Sequence, residues 1–393
     1  MRPTPDTPKS SHLFDVISAL ERWLRECDYA GKDPFDALNA TRMPATARSN
    51  RRLRQAAIQF GKRSPIDVRL LLGVPQVRIA KGVGLVASGY ASLQDAGWDG
   101  PARACALALL DWLVAQRRLT RDTRAWGYEF DVQTRWAYYP RGTPNIIVTT
   151  FVANAFLDWY ERDGESARLE IVRQAVEFLV EELLVSDADQ PYFAYVPGVA
   201  TLVHNANVLG CGLLARFGAI DGDAALVALS LQAARTTVAA QDPRGFWPYG
   251  RCSNLAWVDG LHTAYVLGGL NDLWRATDDD EVHACLKRGM GAYMNGLFTT
   301  EAVPKFTNLR LYPVDIHCAS SAIELFVRAR EVDDRCWDQA WKVARWTITN
   351  LRDPTGFFYF QKNRWYTNRI PYVRWSQAHM LKSLAALAGA SKP

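Results

Sequence analysis

The sequence predicts an all-α protein, an (α/α)6 toroid in which six buried helices form an inner ring and six amphipathic helices wrap it. Three observations carry this. Long helix-periodic stretches recur in pairs; one member of each pair is amphipathic while the other is apolar nearly all round; and the apolar members repeat at an almost constant spacing.

The amphipathic members include PARACALALLDWLVAQRR from Pro101, ESARLEIVRQAVEFLVEELL from Glu165 and DAALVALSLQAARTTVAAQ from Asp223. DEVHACLKRGMGAYMNGLF from Asp280 and DDRCWDQAWKVARWTITNL from Asp333 continue the series. Their apolar residues fall at i, i+3, i+4 and i+7, the pattern of a helix with one buried face. An Asp or Glu opens most of them, where a carboxylate suits the unpaired N–H groups of a first turn. The apolar members are VRIAKGVGLVASGYASL from Val77, NIIVTTFVANAFLDWY from Asn145 and TLVHNANVLGCGLLARF from Thr201. VDGLHTAYVLGGLNDLW from Val258, VDIHCASSAIELFVRAR from Val314 and PYVRWSQAHMLKSLAAL from Pro371 complete them. From Asn145 onward their starts differ by 56, 57, 56 and 57 residues. The ring is expected to take in residues 1–393 as one domain, with residues 28–65 as a basic, loop-rich N-terminal connection.

Apolar residues make up 49% of the 393 and charged residues 22%, a globular balance with ample material for a core. A net charge of +5 is mild, and no zinc-finger or RNP-type motif accompanies it, so nucleic acid is not an expected partner. The first residues lack an apolar core and a small-residue cleavage site, so no secretory leader is expected. No run of 18 apolar residues occurs, and seven scattered cysteines without CxxC spacing fit a reduced, cytoplasmic protein.

Five hairpins carry an aromatic turn between the amphipathic and the apolar helix: RAWGYEF at Arg124, QPYFAYVPG at Gln190, GFWPYG at Gly245, RLYPVD at Arg310 and TGFFYF at Thr355. Most of these rings are expected to pack between hairpins, while some face the cavity, where flat rings suit sugar faces; Trp126, Tyr128, Trp247, Tyr249 and Tyr312 are the candidates. Every inner helix starts at the same end of such a ring, so six partial positive charges point at one mouth and favour an anionic ligand there. The segment from Asp131 adds Arg135 and Arg141, and the segment from Gln361 adds Lys362, Arg364, Arg369 and Arg374 with no acidic residue.

Three of the six histidines hold similar places in successive inner helices: His204, His262 and His317, 58 and 55 residues apart. They are expected to ring the cavity floor, with His379 near the same level. Asp259 and Asp315 stand just upstream of two of them, and a carboxylate orients an imidazole for general acid/base work. Neither HExxH nor a Cys–His pairing occurs, and no metal or cofactor is expected. The acidic TDDDE at Thr277 reads as a helix cap, and the single QDPRGFW at Gln241 as structural.

GKDPFDALN from Gly31, KRSPIDVRLLLG from Lys62 and GFFYFQKNRWYTNRIPYVRWSQAHMLKSLAAL from Gly356 resemble a bacterial family found with surface-polysaccharide biosynthesis genes. Its members are often labelled VpsJ-like or, misleadingly, aminolevulinate dehydratases. Tyr372, Arg374 and Trp375 stand where that family has its YxRW element, while the family more often has Trp where this chain has His379. The resemblance implies a carbohydrate-active toroid, a fold class shared with uronate lyases, unsaturated glucuronyl hydrolases and sugar epimerases.

The function expected is that of a cytoplasmic enzyme modifying an acidic, uronate-type glycan or its lipid- or nucleotide-linked precursor, by epimerisation or β-elimination. A peripheral association with a polysaccharide assembly complex fits that setting. Arg374 is expected to neutralise the uronate carboxylate, with Arg135, Arg364, Arg369 and Trp375 at its side. His262 or His204, with His317 as third candidate, and a tyrosine (Tyr128, Tyr249 or Tyr372) exchange protons. A glycosidase would instead draw on Asp131, Asp259 and Asp315, because hydrolysis needs two carboxylates across the scissile bond. A non-catalytic glycan-binding protein and an isoprenoid diphosphate-processing enzyme are the remaining alternatives.

Overall fold

A computed structural model describes residues 10–186 and 190–390. The first nine residues, on which part of the leader expectation falls, lie outside the described residues. Six inner helices run over Ala80–Ala96, Ile146–Asp163, His204–Asp221, Gly260–Thr277, Ile316–Arg328 and Ala378–Ala390. Six outer helices run over Ser10–Glu26, Ala102–Gln116, Ser166–Phe178, Ala224–Val238, Asp280–Gly296 and Arg335–Leu351. Each inner helix packs on its neighbours, and the last packs on the first, so the (α/α)6 ring closes. Inner helices approach closely where they carry glycine: a Cβ at Gly269 would lie 2.5 Å from the Val208 carbonyl, and one at Gly89 3.3 Å from Lys382 Cα. Among the described residues, no helix is long and apolar enough to cross a membrane.

Short turns join inner to outer helices at one end, and long segments join outer to inner helices at the other. Three of the inner N-termini at the long-loop mouth carry side-chain caps of their own: Asn145 accepts from the Val148 N–H at 3.0 Å, Asp259 from His262 at 2.8 Å and Asp315 from His317 at 2.8 Å. Glu129 serves the first inner helix from the neighbouring loop, its Oε1 accepting from the Ala80 N–H at 3.0 Å. Asp279 caps the fifth outer helix, accepting from Val282 at 2.9 Å, as TDDDE predicts. Gln241 stitches its turn to the next outer helix, donating to the Cys285 carbonyl at 3.0 Å.

The N-terminal segment, residues 28–65, holds the helices Ala45–Ser49 and Arg51–Arg63 between its loops. The second starts because Asn50 accepts from the N–H groups of Arg52 and Leu53, at 2.8 and 3.3 Å. It buries only Ile58 and Gly61, too little to leave an apolar period in the sequence.

This segment lies across the long-loop mouth and is held by a buried clasp. Arg374 donates two hydrogen bonds to Asp33, at 2.6 and 2.8 Å, with both side chains almost fully buried. Beside it Arg69 donates to Asp36 at 2.5 Å and to the Tyr372 hydroxyl at 2.7 Å. Burial works against the Arg374 charge, but Asp33 outweighs it and holds the guanidinium above its ordinary value.

Removing one partner of such a pair strands the other charge, so Arg374→Ala or Asp33→Ala alone should cost about 3–5 kcal/mol. The double variant should cost much less than the sum. Urea unfolding of the four proteins measures this, and additive losses would contradict the clasp. A second expectation concerns Glu129, whose carboxyl burial pushes up to about 8. A raised folded pKa means the group's contribution is fully present at low pH and is lost as pH rises through that value. Glu129→Gln should therefore melt progressively higher than wild type between pH ~5 and ~9, whereas a constant difference across that range would contradict it.

Candidate active site at the mouth of the ring

The mouth-side site is built around the start of the fourth inner helix. Asp259, its N-cap, fixes three groups at once: Oδ1 accepts from the His262 N–H, while Oδ2 accepts from Trp257 Nε1 at 2.9 Å and faces His262 Nδ1 at 2.7 Å. Burial works to raise the Asp259 pKa, but the imidazole and these hydrogen bonds outweigh it and hold the carboxyl low. The imidazole is 30% exposed, which leaves it accessible from the mouth. Tyr249 stacks on Trp257 at 4.5 Å and meets His262 edge-on at 4.6 Å, while Arg135 lies 4.7 Å over the Trp257 ring. A recess lined by Asn205, Trp247, Tyr249, Trp257, Asp259 and His262 opens beside them.

Next to this group stands Lys62, at the end of the helix Arg51–Arg63. Its ammonium lies 4.5 Å from the Phe35 ring centre and 5.4 Å from that of Trp375. Burial pushes its pKa down, against the pull of Asp315, Asp259 and Asp33. Among the described residues it makes no ion pair. Asp315 itself is saturated: it accepts from the His317 N–H, from Trp375 Nε1 at 3.0 Å and from Gln361 Nε2 at 2.6 Å.

Below the mouth, a polar plug fills the ring's axis. The Tyr265 hydroxyl meets His317 Nε2 at 2.6 Å, His379 Nε2 at 3.3 Å and Lys81 Nζ at 3.1 Å. Burial holds both imidazoles and the Lys81 ammonium well below their ordinary values. On the far side of the plug, a cavity of about 570 Å³ opens among the C-terminal halves of the inner helices. Its charges largely cancel: Arg216 pairs with Asp158 and Glu161, Arg328 with Asp272, and Lys382 with Glu324.

The three in-register histidines do not form a ring. His204 is the first residue of its helix, His317 the second and His262 the third, and each step turns the side chain by about 100°. His204 therefore points outward, its Nδ1 3.2 Å from Thr237 Oγ1 on an outer helix, and burial pushes its pKa down to about 4. His317 belongs to the plug. Arg374 is not free to meet a ligand carboxylate, because Asp33 occupies it, and Tyr372 is buried against Arg69. Trp126 and Trp247 are core rings, donating to the Leu113 and Thr237 carbonyls at 2.9 Å each, although Trp247 also forms part of the recess wall. Tyr128 is buried with Arg374 5.2 Å from its ring centre. Arg364, Arg369 and Tyr312 stand exposed, the first over Trp365 and the second over Tyr359. Asp131 accepts from Tyr138 and from the Arg141 N–H, at 2.8 Å each.

The mouth thus gathers His262, Asp259, Tyr249, Arg135, Trp375 and Asp315 from the expected set. Sequence reasoning missed Trp257, Lys62 and Tyr265. Trp257 was legible as the aromatic two residues before the cap, and Lys62 as part of an acid-poor run; nothing in the sequence marks Tyr265. Among the described residues, no three His, Cys, Asp or Glu side chains converge as metal ligands.

No family model matches the chain, and no curated protein does. Solved structures do. A structure of UGL with dGlcA-Glc-Rha-Glc matches with a TM-score of 0.65 at 11% identity, over 94% of each chain. A possible member of the GH105 family from Klebsiella pneumoniae matches at 0.63 and 12%, over 99% of this chain and 95% of the other. Cellobiose 2-epimerase from Bacillus thermoamylovorans matches at 0.61 and 8%, over 80% of this chain and 90% of the other. At these identities the likeness is one of fold: the chain has the (α/α)6 toroid that these carbohydrate-active enzymes have.

Proposed function

We propose that the chain is an enzyme that abstracts a carbon-bound proton next to the carboxylate of a uronate-type glycan, leading to epimerisation or β-elimination. The observation that carries this is the Asp259–His262 pair, an accessible imidazole oriented by a buried carboxylate inside an aromatic cleft. With Nδ1–H donated to Asp259, Nε2 is the basic nitrogen and takes the proton. The carboxylate of the sugar then carries the developing enolate charge. Lys62 stabilises that charge, in the role the sequence assigns to Arg374, with Arg135 at the rim. Tyr249, edge-on to the imidazole, returns a proton for epimerisation or delivers one to the leaving oxygen for elimination. The Tyr249–Trp257 stack and Trp375 give the cleft aromatic walls of a kind that suits sugar rings. The toroids named above, which include an epimerase and a glycan-bound UGL, support a carbohydrate substrate. The inner-helix N-termini and the acid-free segment from Lys362 to Arg374 at the mouth support an acidic one.

The hydrolytic alternative is less well served, since Asp259 and Asp315 have their oxygens committed to caps and indole N–H groups. In the proposed role, His262→Gln should leave the melting temperature and glycan binding nearly unchanged while turnover falls ~10²-fold or more. In D₂O, epimerisation or reversible abstraction should place deuterium on the sugar at the abstracted position, whereas β-elimination should leave an unsaturated sugar. Hydrolysis without deuterium incorporation would overturn the mechanism, and tight binding with no turnover on any acidic glycan would favour a binding protein.

A further inference from the structure

Large apolar side chains left exposed are not spread over the ring: among the described residues, every one belongs to a segment at the long-loop mouth. Among them are Phe60 (61%), Ile66 (72%), Leu70 (69%), Leu71 (71%) and Trp365 (83%), with Tyr366 beside the last, while Leu119 (68%) and Leu309 (88%) belong to other loops of the same mouth. Hydrogen bonds join the segments that carry them. Asn368 Nδ2, at the base of the Trp365 hairpin, donates to the Ser64 carbonyl at 2.9 Å, and buried Arg69 donates to the Gly61 carbonyl at 2.9 Å. On its other side the helix Arg51–Arg63 is tied to the Val132–Tyr139 hairpin, Arg54 donating to Gln133 at 2.9 Å.

The charge of this face is of one sign. Residues 42–71 contain eight Lys and Arg against one acid, Asp67, and residues 362–374 contain four against none. Asp67 is taken by Lys32 at 2.8 Å. Arg42, Arg51, Arg52, Arg63, Arg364 and Arg369 are exposed and make no ion pair among the described residues. The six inner-helix N-termini point their positive ends the same way.

We infer that this face docks on an anionic lipid surface, with the mouth of the ring turned toward the membrane. Exposed apolar side chains of this size in one continuous region mark an interaction site. Unpaired arginines around them call for a partner that is anionic and apolar within a few ångströms, which is the composition of a bilayer's headgroup boundary. Trp365 and Tyr366 on a hairpin tip flanked by Arg364 and Arg369 suit that boundary in particular, because amphipathic rings settle there. A lipid-linked glycan would then reach the mouth without leaving the surface. That consequence rests on the functional reading above, whereas the docking does not.

The test is flotation of the full chain with vesicles of phosphatidylcholine alone or with ~30% phosphatidylglycerol. Wild type should float with the anionic vesicles, weakly or not at all with the neutral ones, and less at high salt. Leu70→Ser with Leu71→Ser and Trp365→Ser, all at exposed positions, should keep the circular-dichroism spectrum and lower vesicle binding ~10-fold or more. Arg63→Gln with Arg364→Gln should lower the preference for anionic vesicles. Failure to float with anionic vesicles would overturn the inference, as would undiminished binding by the apolar triple variant. Self-association abolished by that variant, without vesicle binding, would assign the face to a second copy of the chain. Activity on a soluble glycan is a separate readout, so loss of the functional reading leaves this result standing.

Discussion

Arg374 and Asp33 stand 341 positions apart in sequence and meet in a bidentate pair with almost no exposure. Taking two charges out of water costs several kcal/mol per ion, and only good geometry offsets it. What the pair secures is placement. It joins the last inner helix to a segment that precedes the first, and Arg69, Asp36 and Tyr372 repeat the joint one layer out. The arrangement holds the helix Arg51–Arg63 across the mouth, and that helix brings Lys62 to the edge of the cleft. Without the clasp, the mouth would keep its histidine and lose Lys62 from the edge of the cleft.

The two ends of the ring show why the mouth is the better reading. The far cavity is the roomier, but its arginines and lysine are matched to carboxylates on neighbouring inner helices, an arrangement that ties helices together. At the mouth the balance is uneven. Asp259 spends its oxygens on orienting Trp257 and His262, and Lys62 faces carboxylates without bonding to them. Groups held in place but not satisfied are what a charged substrate meets. Between the two ends, the Tyr265–His317–His379 plug closes the axis.

Much of the fold was legible because a period near 57 residues survives only when each helix pair has the same job. The mouth residues Tyr249 and His262 were legible for the same reason, since aromatic turn and histidine recur at similar places, and Arg135 was legible from its basic segment. The histidine ring was not, because the helices start one or two residues out of step and each residue turns the side chain by about 100°. Arg374 was read as free because its partner lies at the far end of the chain, and charge patterning along one segment is blind to such a partner. The helix Arg51–Arg63 left no apolar period because its burial is slight. Yet the stretches from Gly31, Lys62 and Gly356, with Asp33 and Asp36, Lys62 and Arg69, and Tyr372, Arg374 and Trp375, are the ones that meet in the clasp.

The central claim is that this joint, and not the ring alone, places the segment bearing Lys62. Amide hydrogen exchange of wild type and Asp33→Ala, compared peptide by peptide, tests it most directly. The account predicts faster exchange across residues 51–63 and at the Tyr372–Trp375 turn, with protection of the first five inner helices little changed. Unchanged protection of residues 51–63 in the variant would contradict it.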